Sequence, residues 1–568
     1  IRRHQLSCDP GECRSSCTST GACADEKKLL ASSQDTELLV LTAQDKTSLI
    51  EQARMTARMV NGAAQCELID LAASLALQVN PQFPWRAAIV ASSPEGLIQQ
   101  LERLQQILLN TSPQQGSVHA EPRQDIWLCN MISPARIGFL LPGQGSQQLN
   151  MARILTERHN WAKSLLEQAL DWLEKGWGKQ IRTAMFRTLD RAKDDQEINV
   201  WHKELTRTEI AQPAICLASL LWGEWLKRLG IRPVAVGGHS LGELTALYLA
   251  CALDEQSFIK TAGLRGQLMA AASDTPGAMA SLACTRKEAE DVLTSAQGYA
   301  VVANINAPRQ IIISGEQEAV HSAVQLAEER GVTARLLPVS NAFHSKLVQQ
   351  AAERLRYEVS LPKTCGRLSV DLRSCIAGAE IGPETSLNEH LADIVVSQVD
   401  FVSLAQSLAR GCDLLLEVGP GHVLSHLTAT ITGESDAVCL PVESRAGCDR
   451  DWNTAVAAAF VHGADINWSV FYEDRLVRPF TPASERLFIH SPLEKSLLSP
   501  ERPLTAKDPG TTSLTYSELA SITNLEPEAL SAYLKERGDF IGSVIQADLQ
   551  SLTRLRHLSE QVSAPVSS

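Results

Sequence analysis

Along this chain, short apolar runs alternate with stretches in which apolar residues return every third or fourth position, the rhythm of strands followed by helices. Glu37–Ala43 reads as a strand, helical patterns follow around 46–60 and 66–78, and Trp85–Ala91 and 94–109 repeat the strand and helix. These elements predict a small α/β unit ending near Ser133. A new run opens at Ala135–Pro142 and enters the loop Gly143-Gln-Gly-Ser-Gln147. Thr208–Pro213 then leads into a long helix over Ala214–Leu229, which Gly230 ends. The next strand runs into Gly238-His-Ser-Leu-Gly242. In the helix that follows, Leu244, Leu247, Tyr248 and Cys251 recur at i, i+3, i+4 and i+7, an apolar face for packing on a sheet. This order predicts a parallel sheet covered by helices.

From Gly277 the order becomes strand (278–283), helix (286–297), strand (299–305), strand (310–315), helix (316–330) and strand (334–339). βαββαβ is the order of a ferredoxin-like unit, here a small subdomain inserted into the larger one. Leu414–His422 is a further strand with a tight turn, and past about 445 the α/β rhythm fades into one helix over Trp452–His462 and a short segment at Asn467–Tyr472. The predicted layout is a polar lead-in over 1–36, an α/β unit over 37–133 and the main domain over 134–445, with its insert at about 277–340. A connecting segment over 446–500 and a helical tail over 501–568 complete it.

Composition narrows the class. Apolar residues make up 44% and charged residues 21%, as in a globular protein, and the net charge of -13 leaves no excess to neutralise nucleic acid. No apolar run approaches the roughly eighteen residues of a membrane span. Without an apolar signal core, the expected setting is cytoplasmic. The absence of an initiator Met predicts a piece of a longer polypeptide. Most of the fourteen cysteines stand singly in apolar contexts, such as Cys216 and Cys251, and read as core thiols. Cys8, Cys13, Cys17 and Cys23 cluster, but without a C-x-x-C pair; disorder outweighs a zinc knuckle there, and no metal site is expected.

Candidate chemistry begins at Ser240. Gly-x-Ser-x-Gly between a strand and a helix is a nucleophile elbow, which lifts the hydroxyl above a helix N-terminus where developing negative charge is favoured. The alternative is a chance pentapeptide. Phe258, Ala262, Arg265 and Met269 share one helical stripe, so Arg265 lies on an apolar face, and none of its local neighbours Thr261, Ala262, Leu268 and Met269 is a carboxylate. A guanidinium there needs an anion: either a distant Asp or Glu, or a ligand carboxylate. His344 lies where the chain leaves the insert and is the candidate base for Ser240.

Together, Gly143-Gln-Gly-Ser-Gln147, Gln212-Pro213, Gly238–Glu243, Leu264–Met269, Asn306–Gly315, Asn341-Ala-Phe-His-Ser345 and Glu417–Gly421 resemble, in order and spacing, the acyltransferase (malonyl-CoA:acyl carrier protein transacylase) family. The form is that found inside polyketide synthases and related iterative fatty acid synthases. The resemblance implies an α/β-hydrolase-like parallel-sheet large subdomain with the ferredoxin-like insert, behind a linker domain of the kind that follows a ketosynthase. It implies Ser240 as nucleophile and His344 as base and then acid. The backbone N–H groups of Gln144 and Leu241 would form the oxyanion hole, and Arg265 would grip the free carboxylate of a dicarboxylic acyl group. His239, Gln310, Asn341 and Phe343 would line the acyl site. A backbone carbonyl at about Arg410 would orient the histidine. Phe343, and Leu241 after the nucleophile, favour malonyl, whereas Asn341 departs from the usual His. Malonyl-CoA would be the donor and a phosphopantetheinylated acyl carrier protein the acceptor, beside neighbouring synthase domains such as a ketosynthase, with no bound cofactor, nucleic acid or membrane.

Two other readings compete. An α/β-hydrolase esterase orders its triad Ser, Asp or Glu, then His, and lacks the buried arginine. A catalytically silent scaffold would not need Ser240, His344 and Arg265 intact.

Overall fold

The computed structural model describes residues 31–486 apart from 33, 111–117, 131–132, 175, 190–191, 193, 272–275, 340 and 434–436. The Cys8–Cys23 cluster, the lead-in up to residue 30 and the tail over 501–568 lie outside the described residues.

The strands in chain order are β1 (Glu37–Ala43), β2 (Trp85–Ala91), β3 (Val118–Glu121), β4 (Ile126–Asn130), β5 (Ile137–Leu141), β6 (Ala235–Gly238) and β7 (Gly277–Leu282). Then come β8 (Ala300–Ala307), β9 (Gln310–Glu316), β10 (Ala334–Leu336), β11 (Asp371–Arg373), β12 (Val399–Asp400), β13 (Leu414–Pro420) and β14 (Val438–Glu443). The expected N-terminal strands and helices are present. The β3–β4 pair, too short and polar to announce itself, completes an antiparallel sheet of order β1-β2-β4-β3. Every position of β1 and β2 is buried, because both faces of this sheet are covered. Leu39 and Leu41 pack with the helices Lys46–Val60 and Pro94–Asn110, whereas Leu38 and Val40 join the main core. The helix Asp449–Val461 fills the space between this sheet and the main one through Trp452, Val456 and Phe460.

The main sheet is parallel throughout, in the order β11-β6-β5-β13-β14, and makes the chain an α/β protein. The elbow strand β6 lies inside the sheet between β11 and β5, and the elbow follows its C-terminal end, the usual place for a site in such sheets. The helix expected over Ala214–Leu229 begins earlier, at Thr208, and carries Pro213 inside it. Buried Ile210, Ala211 and Gln212 hold those first turns against the core despite the amide that proline lacks. Cys251 is not a core thiol: the elbow helix Gly242–Leu249 ends before it, its φ is 64°, and the side chain is exposed. Cys216 is buried as expected.

The inserted segment forms the sheet β10-β7-β9-β8 with antiparallel neighbours, and β12 from the main chain adds a parallel fifth strand on β8. Its core holds Ala280, Leu282, Ile311, Ile313 and Val320. β12 has two residues, too few for any periodicity to register.

Candidate active site

The two elbow glycines are required by contact. A Cβ on Gly238 would run into the backbone of Gly242 and Glu243, and one on Gly242 into the Leu141 and Pro142 carbonyls. The turn holds Ser240 at φ 52°, a strained left-handed conformation for a residue with a side chain. Replacing Gly238 by Ala is therefore expected to leave little folded protein, read as loss of the soluble, cooperatively melting fraction.

The half-buried Ser240 Oγ lies 2.9 Å from His344 Nε2, and His344 Nδ1 lies 2.9 Å from the Ser397 carbonyl. A carbonyl only accepts, so Nδ1 carries the proton and Nε2 is free to take one from Ser240. This corrects the expectation at Arg410. That residue is exposed in the last turn of the helix Phe401–Gly411, and the orienting carbonyl belongs to Ser397. No carboxylate completes a triad among the described residues.

Burial pushes the His344 pKa down to about 3, with the charges of Arg265 and His239 acting in the same direction. The imidazole is therefore a neutral base across the ordinary pH range. Acylation kcat/KM is expected not to fall as pH drops from neutrality to about 5, with no acid limb near the histidine value of about 6.5, as a pH–rate profile would check.

Arg265, 3% exposed, projects from the helix Glu255–Ala270. Its Nη1 donates to Gln212 Oε1 at 2.7 Å and its Nη2 to Ser240 Oγ at 3.4 Å. Burial pulls its pKa down to about 10, which leaves it charged at neutrality. Of the two anions left open by the sequence, no internal carboxylate makes an ion pair or hydrogen bond with Arg265 among the described residues; Glu243 acts on it only through its charge, without contact. Gln212, quoted only as part of a motif, is the residue that aims the guanidinium.

Gln144 lies in the loop after β5. Its side chain is held by Gln212 Nε2 at 3.3 Å and Thr208 Oγ1 at 3.2 Å. Neither its backbone N–H nor that of Leu241, at the start of the elbow helix, has an acceptor among the described residues. Leu241 directly follows the nucleophile, and Gly143, just before Gln144, lies against the His239 carbonyl; free amides of this kind are what an oxyanion needs. His239 Nε2 donates to Asn306 Oδ1 at 2.9 Å, and burial lowers its pKa. Gln310 opens β9 opposite Ala307, one residue beyond Asn306, but makes no hydrogen bond to Ser240, His344 or Arg265. Asn341 Nδ2 donates to the Met269 and Ala270 carbonyls at 2.5 and 3.4 Å, tying the His344 loop to the end of Arg265's helix. Phe343 is buried in the main core. Asn306, like Gln212, entered the sequence reading only as part of a motif, and Ser397, which acts through its backbone, was missed.

Among known proteins, the acyl transferase domain family matches residues 138–463. A malonyl CoA-acyl carrier protein transacylase of Bacillus subtilis (strain 168) is 34% identical over 304 residues, 52% of this chain and 90% of the relative. Polyketide synthase GfsA of Streptomyces halstedii is 27% identical over 441 residues, 76% of this chain but 6% of that synthase, so the chain spans a small part of it. The crystal structure of the acyltransferase domain of the iterative polyketide synthase in enediyne biosynthesis is similar with TM-score 0.61 and 28% identity, over 77% of this chain and 99% of that one.

Proposed function

The chain belongs to the acyl transferase domain family, and from that premise we propose that it moves a malonyl group from CoA to the phosphopantetheine thiol of an acyl carrier protein. His344 Nε2 takes the Ser240 proton as Oγ attacks the thioester carbonyl, and the amides of Gln144 and Leu241 receive the negative oxygen. When the carbon–sulfur bond breaks, His344 returns that proton to the CoA thiolate, leaving malonyl as an ester on Ser240. The carrier thiol then gives its proton to His344, attacks the ester and restores the serine hydroxyl.

The observation that carries malonyl rather than a neutral acyl group is Arg265. A buried cation with no carboxylate in contact among the described residues, 3.4 Å from the nucleophile, is complementary to a free carboxylate at the far end of the acyl chain. Phe343 beside His344 narrows the space for an α-methyl, a difference of about 1–3 kcal/mol. His344 facing a backbone carbonyl argues against the esterase reading, which needs an acid there.

The same premise gives the remaining assignments. The main parallel sheet is the α/β-hydrolase-like subdomain and β7–β10 a ferredoxin-like insert, a reading supported by their strand order. Residues 37–133 form a ketosynthase-type linker domain, 134–445 the acyltransferase domain and 446–500 the linker that follows it. Neighbouring synthase domains adjoin it, and its CoA donor places it in the cytoplasm.

Brief incubation with a panel of acyl-CoAs, read by intact mass, tests the reading. Malonyl-CoA is expected to label the chain stoichiometrically and faster than acetyl- or methylmalonyl-CoA. Labelling by acetyl-CoA at an equal rate would overturn it.

A further inference from the structure

Ser240 and His344 meet across 104 residues of chain, and different elements hold each of them. Ser240 heads the helix Gly242–Leu249. His344 is held by the end of the helix Leu387–Val396: its backbone N–H donates to the Val395 carbonyl at 3.2 Å, and its ring meets Ser397 just beyond. Both residues sit at positive φ, 52° and 58°, where a side chain stays only if its surroundings over-determine it.

One fully buried carboxylate joins these two helices. Glu243, in the first turn after the elbow, meets His390 Nε2 on the Leu387–Val396 helix at 2.5 Å through Oε1. Its Oε2 accepts the Cys375 backbone N–H at 2.7 Å. Cys375 follows β11, the strand beside β6, and its sulfur lies against the Ser240 backbone N–H. A buried ion pair adds little net stability over a well-packed apolar pair, but it fixes the relative placement of the elements that carry it.

We propose that the Glu243–His390 ion pair is the brace that sets the Ser240–His344 hydrogen bond, making both positioning residues for acyl transfer. The inference rests on Ser240 and His344 being the acyl-transfer pair and adds to that reading two residues that touch no substrate. Glu243 holds the nucleophile's helix at the distance that His390 dictates, and His390 lies on the helix whose end orients the base.

The brace is charged when His390 is protonated. Burial alone would strip that proton, but the Glu243 hydrogen bond and charge, with Asp393, outweigh it and raise the His390 pKa. The other groups facing it are the Cys375 thiol, held neutral by burial and by Glu243, and the packed helix Gln349–Glu358, whose Arg356 is drawn to Glu389 and Asp393. A raised histidine pKa means the pair is intact below the ordinary histidine value and is released as pH rises through the folded-state value.

The test uses the full chain with His390→Ala and His390→Gln, the second keeping an N–H donor near the Nε2 position without the charge. Ser240 acylation is followed by quench-flow intact mass across pH, alongside thermal melting. His390→Ala is expected to lower the acylation rate constant by about 10- to 100-fold, with KM for malonyl-CoA within about twofold. His390→Gln should recover most of the rate near neutrality and lose the alkaline decline of the wild type. A folded His390→Ala that acylates at the wild-type rate, or a His390→Gln that keeps the alkaline decline, overturns the brace. If His390→Ala does not fold, the pH profile of His390→Gln decides alone. A wild-type chain labelled by another acyl-CoA but not by malonyl-CoA overturns the substrate reading only, and the brace is then read with the acyl-CoA that labels.

Discussion

Replacing Ser240 by Ala is expected to eliminate the acyl-enzyme and lower carrier loading by roughly 10⁴- to 10⁶-fold, the scale of losing a nucleophile that works as a unit with its base. His344 has only the Ser240 hydroxyl to deprotonate at 2.9 Å, so without it the oxyanion amides remain but no ester forms. Intact mass after incubation with malonyl-CoA should show no adduct, while the melting temperature stays near that of the wild type because Ala keeps the elbow backbone. An adduct of undiminished yield on Ser240→Ala would place the nucleophile elsewhere.

Arg265→Ala is expected to reverse substrate preference rather than to abolish catalysis. On the proposed reading the malonyl carboxylate pairs with Arg265, and breaking a buried charge pair costs about 3–5 kcal/mol. Malonyl transfer should therefore fall by roughly 10²- to 10³-fold in kcat/KM. Acetyl transfer should hold or rise, because an acetyl group leaves that cation buried and unpaired and the alanine removes the penalty. Removing Arg265 also removes a charge that depresses the His344 pKa, so the acid limb of the pH profile should move upward. Equal losses for malonyl- and acetyl-CoA would mean that Arg265 supports the fold and not the acyl carboxylate.

Local residue order was enough to mark out much of this protein. Glycines at 238 and 242 around Ser240 announce an elbow because only they allow two backbones to approach so closely. The stripe of Phe258, Ala262, Arg265 and Met269 announces a buried cation because helical periodicity is a local property, and the helix does bury all four. The strands β1, β2, β5, β6 and β13 were legible because each is a continuous apolar run buried on both faces.

Other features had no local signal. β3, β11 and β12 are two to four residues long, β11 and β12 are held by neighbours distant in sequence, and Pro213 enters a helix that its burial sustains. The carbonyl behind His344 came from Ser397 and not from position 410, because every residue has a carbonyl and only the chain's path selects one. Gln212 on Arg265, Asn306 on His239 and His390 on Glu243 are pairings across 53, 67 and 147 residues. The sequence by itself determined which groups are candidates for the chemistry, since backbone sterics and periodicity act over a few residues. Tertiary structure alone decided how those groups are aimed and charged, since burial and partners depend on what the rest of the chain brings against them.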